Sequence, residues 1–158
     1  MTQRVAARND RIHAALLVLL AVLIGLYWLA YFMTDVTLPE FTHDPAQATL
    51  TAVYLGYQDA FPAADGFVAL TALIAARQLH RGRATALLMG LVSAGGLAFL
   101  ALMDILFDLE HGFYAPPMLT SDPGMMLEAA INVGCVGFAF YSARRFWSRR
   151  EFLLGTGG

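Results

Sequence analysis

Several residue types in this 158-residue chain are out of place in apolar surroundings. Asp59, Asp65, Asp104 and Glu128 carry carboxylates, and Asn132 an amide, within long apolar runs. A carboxylate held at the centre of a membrane helix costs about 2.5–3.5 kcal/mol on insertion scales. Such groups face a bundle interior, pair with a partner or take a proton. No Arg or Lys occurs from Thr34 to Ala76 or from Ala84 to Ala143. His43 and His111 are the cationic candidates within those two stretches. The acids must be neutralised by protons, by histidine, by hydrogen bonds to Tyr, Asn or Ser, or by a cation from elsewhere. The pattern predicts a cation-binding or cation-transporting pocket formed by Asp59, Asp65, Asp104 and Glu128. Tyr57, Gln58 and Asn132 would be its hydrogen-bonding partners.

Two local arrangements sharpen this. In Tyr57-Gln58-Asp59-Ala60-Phe61-Pro62-Ala63-Ala64-Asp65, the proline removes a backbone hydrogen bond and predicts a kink about one turn earlier. The freed carbonyl near Gln58 would then join the polar site. In a straight helix Asp59 and Asp65 would lie about 120° apart, so the kink decides whether they share a pocket. Further on, Asp104, Asp108 and His111 recur at i, i+4 and i+7, one helical face. Two carboxylates and an imidazole at that spacing form a candidate site for a divalent metal. Gly112 offers the cap of that helix, and Pro116, Pro117 and Pro123 are expected to keep the next loop out of helix.

These residues need elements to hold them, and composition says which. The chain is 58% hydrophobic and 14% charged, against about 45–50% and about 25% in soluble domains. Lipid is the solvent this implies. Apolar runs predict an all-α, four-transmembrane-helix bundle in one domain over residues 1–158, with spans near 14–33, 50–76, 84–104 and 125–144. The first run ends in Tyr27, Trp28, Tyr31 and Phe32, which reads as an aromatic belt on a retained helix, not a cleaved leader. One cysteine, Cys135, excludes an internal disulfide and a Cys-rich metal site; it is expected to pack between helices. Met125 and Met126 are expected to seat the fourth span at the interface. Gly90, Ala94 and Ala98, and Ala130 and Gly134, follow the four-residue spacing that lets helices approach closely, within the chain or in a homodimer.

All ten basic residues are Arg. They cluster at Arg4, Arg8 and Arg11, at Arg77, Arg81 and Arg83, and from Arg144 to Arg150. Four spans place those three segments on one side, which the positive-inside rule makes cytoplasmic. His13 and His80 lie beside them and read as interfacial. The other two loops carry Asp35, Glu40, Asp44, Asp108, Glu110 and Asp122 without a basic residue. A multi-pass protein of the cell membrane follows, with both termini cytoplasmic, and the all-Arg, Ala/Gly-rich usage points to a bacterial inner membrane. The expected partners are the lipid bilayer and a cationic or lipid-like small ligand; nothing indicates nucleic acid. Two rival functions share the same residues. One is a membrane enzyme with an Asp or Glu as general acid or base on a lipid-like substrate. The other is a non-catalytic subunit whose acids pair with a basic partner helix, in which case they should face outward from the isolated chain.

Overall fold

The computed structural model describes residues 2–34, 45–116, 118–121 and 123–155. Asp35, Glu40, His43, Asp44 and Asp122 lie outside the described residues. The elements are all helices: α1 (Thr2–Thr34), α2 (Pro45–Gln58), α3 (Pro62–His80), α4 (Thr85–Glu110), α5 (Met118–Ser121), α6 (Pro123–Ser148) and α7 (Arg150–Leu154). Four stretches are long and apolar enough to cross a membrane: Arg8–Met33, Ala52–His80, Thr85–Glu110 and Pro123–Ser148. These are the four spans the apolar runs predict.

The distribution of side chains is that of a protein dissolved in lipid. Leu23, Leu26, Leu29 and Phe32 of α1 point outward, as do Phe67, Leu70, Phe99 and Phe140 on the later helices. The interior holds small residues, among them Ala72, Ala75, Ala86, Ala94 and Ala101, together with polar ones such as Asp108, Glu128, Asn132 and Ser142. Lipid tails are as apolar as Leu, so helices gain by close packing and interhelical hydrogen bonds and not by hiding apolar area. Gly90 shows the packing at its tightest: a Cβ there would collide with the Phe146 ring of α6. At Gly96 a Cβ would come within 2.9 Å of Val68 on α3. By contrast Ala130, Gly134 and Gly137 are exposed and have no part in this packing.

Helix α3 packs on α1 and on α4, and α4 packs on α6. The neighbours α1 and α6 make no comparable close backbone packing. They are tied together by side chains at the Arg-rich end. Asp10 takes Arg145 at 3.0 Å and Arg149 at 2.7 Å, and His13 Nε2 meets Ser142 Oγ at 3.0 Å. His13 is therefore a helix–helix partner at this end. It is buried, with its ring against Tyr141 and Phe146.

Span two is broken, not merely kinked. Helix α2 stops at Gln58, a turn follows, and Pro62 opens α3, where its missing N–H costs nothing. Ala60 and Phe61 donate to the carbonyls of Tyr57 (3.1 Å) and Gln58 (3.0 Å). The Gln58 carbonyl is thus occupied by the turn, contrary to the expectation that it would be freed for the site. At the other end of the bundle, α4 closes as predicted, with Gly112 at φ +74° after the C-cap His111. The proline-rich loop does contain helix: the single turn α5, and Pro123 heading α6. Met125 is fully buried beneath Tyr54 and Phe113, while Met126 is exposed.

Candidate functional site

In the half of the bundle away from the arginines, the helices enclose a cavity of about 430 Å³. Each wall follows from a helical repeat. Leu20, Leu23, Ile24 and Tyr27 present one stripe of α1; Leu97, Leu100, Ala101 and Asp104 do the same on α4; Glu128, Ile131, Asn132 and Cys135 on α6. The broken span supplies Gln58 from the end of α2, Phe61 from the turn and Asp65 from the first turn of α3. Five of the seven residues predicted for the pocket therefore meet in one place: Gln58, Asp65, Asp104, Glu128 and Asn132. Among the described residues, the lining includes no Arg, Lys or His.

Neither a protein family, nor a curated protein, nor a solved structure matches this chain. Its site is read from its own residues.

A run of hydrogen bonds ties the acids to the wall. The Tyr27 hydroxyl donates to Gln58 Oε1 at 3.5 Å, and Gln58 Nε2 donates to the Tyr54 hydroxyl at 2.9 Å. Tyr54 in turn donates to Glu128, lying 3.2 Å from each carboxylate oxygen. The Trp28 indole donates to Asp65 Oδ2 at 2.9 Å. On the loop side, Asn132 Nδ2 donates to the Tyr114 hydroxyl at 3.1 Å, and that phenol also bonds Asp108. Burial pushes the Tyr114 phenol well up from its ordinary range; the Asn132 bond opposes this, and Asp108 and Glu128 add to it. The phenol thus stays a proton donor to Asp108. These described partners, from α1, α2 and the α4–α6 loop, are neutral groups that orient the acids.

Two predicted members sit elsewhere. Asp59 is exposed on the turn and accepts from the Tyr31 hydroxyl at 2.8 Å. Asp65 lines the cavity and Asp59 does not, although both reach toward α1, so the two do not share the pocket. Tyr57 is outside the cavity lining, its ring stacked on Phe107 with centroids 3.8 Å apart and planes within 5°, but its hydroxyl is directed at Asp104, in keeping with its expected role as a partner of the acids. The metal trio is not assembled either. Asp104 faces the cavity, Asp108 is buried beneath Tyr114, and His111 Nδ1 is 2.8 Å from the Phe107 carbonyl. Among the described residues, no group of three His, Cys, Asp or Glu side chains is placed to hold a metal ion.

Sequence reasoning missed Tyr27, Trp28 and Tyr54, and took Cys135 for packing alone although it lines the cavity. Tyr27 and Trp28 read as an interfacial belt because tyrosine and tryptophan at the end of a span are ordinary there. One signal was available. Tyr54 precedes Gln58 by one turn, and Trp28 stands one turn after Ile24, so each belongs to a definable face. Which face points inward needed the partner helices.

Proposed function

We propose that this multi-pass membrane protein binds an organic cation in the cavity of its acidic half and moves it within the membrane or across it. The observation that carries the reading is the convergence of Asp65, Asp104 and Glu128 on one cavity whose described lining has no basic residue. Charge complementarity then asks for a cation, with Gln58 and Asn132 as hydrogen-bond partners.

Volume separates the kinds of cation. A water molecule takes about 30 Å³, so a proton or a partly hydrated metal ion would leave most of 430 Å³ unfilled. Ligand pockets for small organic molecules start at about 300 Å³. An ammonium-bearing molecule fits both the size and the charge. The scattered placement of Asp104, Asp108 and His111 also argues for an organic ammonium over a metal.

The subunit reading draws support from Asp59 alone, since that acid faces outward, toward a space a basic partner helix would occupy. The enzyme reading draws on the same cavity acids but adds no observation of its own.

The test is calorimetric titration of the full chain in phosphatidylcholine nanodiscs with butylammonium. Saturable binding is expected, lost in Glu128→Gln and in Asp104→Asn. Absence of binding, or undiminished binding in both variants, overturns the reading.

A further inference from the structure

Resting on that cation-binding reading, we propose that the occupant is an amphiphile, an ammonium head on a hydrocarbon chain, taken up from the bilayer through the seam between α1 and α6. Three observations converge on this. First, the lining is divided by depth. Tyr27, Gln58, Asp104 and Glu128 stand furthest from the arginines, Asp65 and Asn132 lie between, and Leu20, Leu97 and Cys135 stand on the side nearest to them. A head that sits among the acids leaves its chain against carbon.

Second, the exposed members of the lining mark the mouth. Leu23 is 55% exposed and Ile131 is 44% exposed. They belong to α1 and α6, whereas every lining residue of α3 and α4 is buried or half-buried. A residue that both lines a cavity and faces outward stands at an opening. Leu23 follows Arg11 by twelve residues and Ile131 precedes Arg144 by thirteen, so both lie about 18–20 Å from the Arg-rich end. In a hydrocarbon core about 30 Å thick, this opening faces acyl chains and not water.

Third, the seam is the weakest joint of the bundle. The hydrogen bonds and ion pairs between α1 and α6 lie at Asp10 and His13, against Ser142, Arg145 and Arg149. Above them the two helices border the cavity with Leu20, Leu23 and Ile24 on one side and Ile131 and Cys135 on the other. These five side chains are apolar or, for Cys135, a thiol, and form no polar lock among the described residues. Parting them costs little, because lipid tails replace the lost apolar contact.

The protein carries its own reporter. Of its two tryptophans, Trp28 bonds Asp65 at the cavity and Trp147 is exposed at the Arg-rich end. Trp147→Phe leaves Trp28 emission to follow occupancy of the full chain in phosphatidylcholine nanodiscs. The probes are butylammonium, octylammonium and dodecylammonium, with dodecanol as the uncharged control. Affinity on the aqueous concentration should rise about fourfold per methylene, and dodecanol should not saturate the site. Filling the seam with Leu23→Phe and Ile131→Phe should slow dodecylammonium association about tenfold, as expected when access requires a conformational opening. Both positions face lipid, so the variant is expected to fold; Ile131→Phe alone serves as the second variant. Equal affinity for butyl- and dodecylammonium, or an unchanged association rate in both seam variants, overturns the amphiphile proposal and leaves the cation reading standing. No saturable response to any ammonium, or an equal one to dodecanol, overturns the cation reading itself.

Discussion

The indole of Trp28 donates to the Asp65 carboxylate across the α1–α3 interface, at 2.9 Å. This bond fixes a costly acid at the cavity wall without supplying a counter-charge. Interhelical hydrogen bonds in membranes contribute about 0.6 kcal/mol on average and about 1.7 at most. Trp28→Phe should therefore lower stability by about 1 kcal/mol, measured by reversible unfolding in mixed micelles. Ammonium binding should weaken several-fold, since Asp65 loses its orientation, but should not vanish. A complete loss of binding would make Trp28 part of the contact surface, not a support for Asp65.

Asp59 and Asp65 should respond differently to the same substitution. Both Asp→Asn changes remove a charge that is expensive in lipid and keep the shape. Asp65 lines the cavity, whereas Asp59 is exposed and bonded to Tyr31. Asp65→Asn should abolish or strongly weaken ammonium binding, and Asp59→Asn should leave it unchanged within twofold or so. The reverse ranking would favour the subunit reading, in which the outward acid is the one that pairs.

How far the sequence carried this picture depends on the element. Four spans were legible because runs such as Ala14–Met33 exceed what a soluble core needs. Convergence of Asp65, Asp104, Glu128, Gln58 and Asn132 was legible because distance from the Arg markers gives depth, and charges in lipid must turn inward. Rotation about each helix axis was not. Whether Asp59 followed Asp65 inward depended on three residues, Asp59 to Phe61, adopting a turn in place of a bent helix. His13 likewise read as interfacial from its neighbours Arg8 and Arg11, although Ser142, far along the chain, makes it a buried partner. Pairings between helices of distant sequence leave no local trace.

Gly90 should be intolerant of a side chain for a reason particular to its neighbour. Alanine is the better helix former by about 1 kcal/mol, yet a Cβ here would strike the Phe146 ring. Overpacking costs about 1–3 kcal/mol, so Gly90→Ala should destabilise on balance. In a Phe146→Ala background the ring is gone, and the same change should become neutral or stabilising. A double-mutant cycle on unfolding free energy reads this directly. Additive effects would mean that α4 and α6 are not in close contact there.

The arrangement of arginines predicts sidedness. Reporter domains fused after Gly158 or inserted at Gly82 should be cytoplasmic, and one inserted after Ala115 should be external. Agreement would place the cavity acids in the outer half of the membrane. An external C-terminus would invert the bundle and put the cavity on the cytoplasmic side.

Proton release gives the last prediction, and its sign follows from competition. An ammonium ion and a proton neutralise the same carboxylates, so a protonated acid must lose its proton when the cation binds. Affinity should then fall as pH falls, by up to about tenfold per unit for each proton displaced. A quaternary probe, dodecyltrimethylammonium, keeps its charge throughout, so any pH dependence belongs to the protein. Calorimetry in two buffers of different ionisation enthalpy counts the released protons directly. Binding should tighten as pH rises, with protons released as the ligand binds. Because the ligand binds the folded chain, its stabilising effect grows with the ratio of concentration to Kd. The ligand-induced rise in unfolding temperature should therefore be larger at the higher pH. A flat profile with no proton released would mean that the acids are already ionised without a ligand. They would then owe their charge to a cation already in place, from a partner chain or from a segment of this chain outside the described residues such as that of His43, and the outward-facing Asp59 would become the first place to look for a partner.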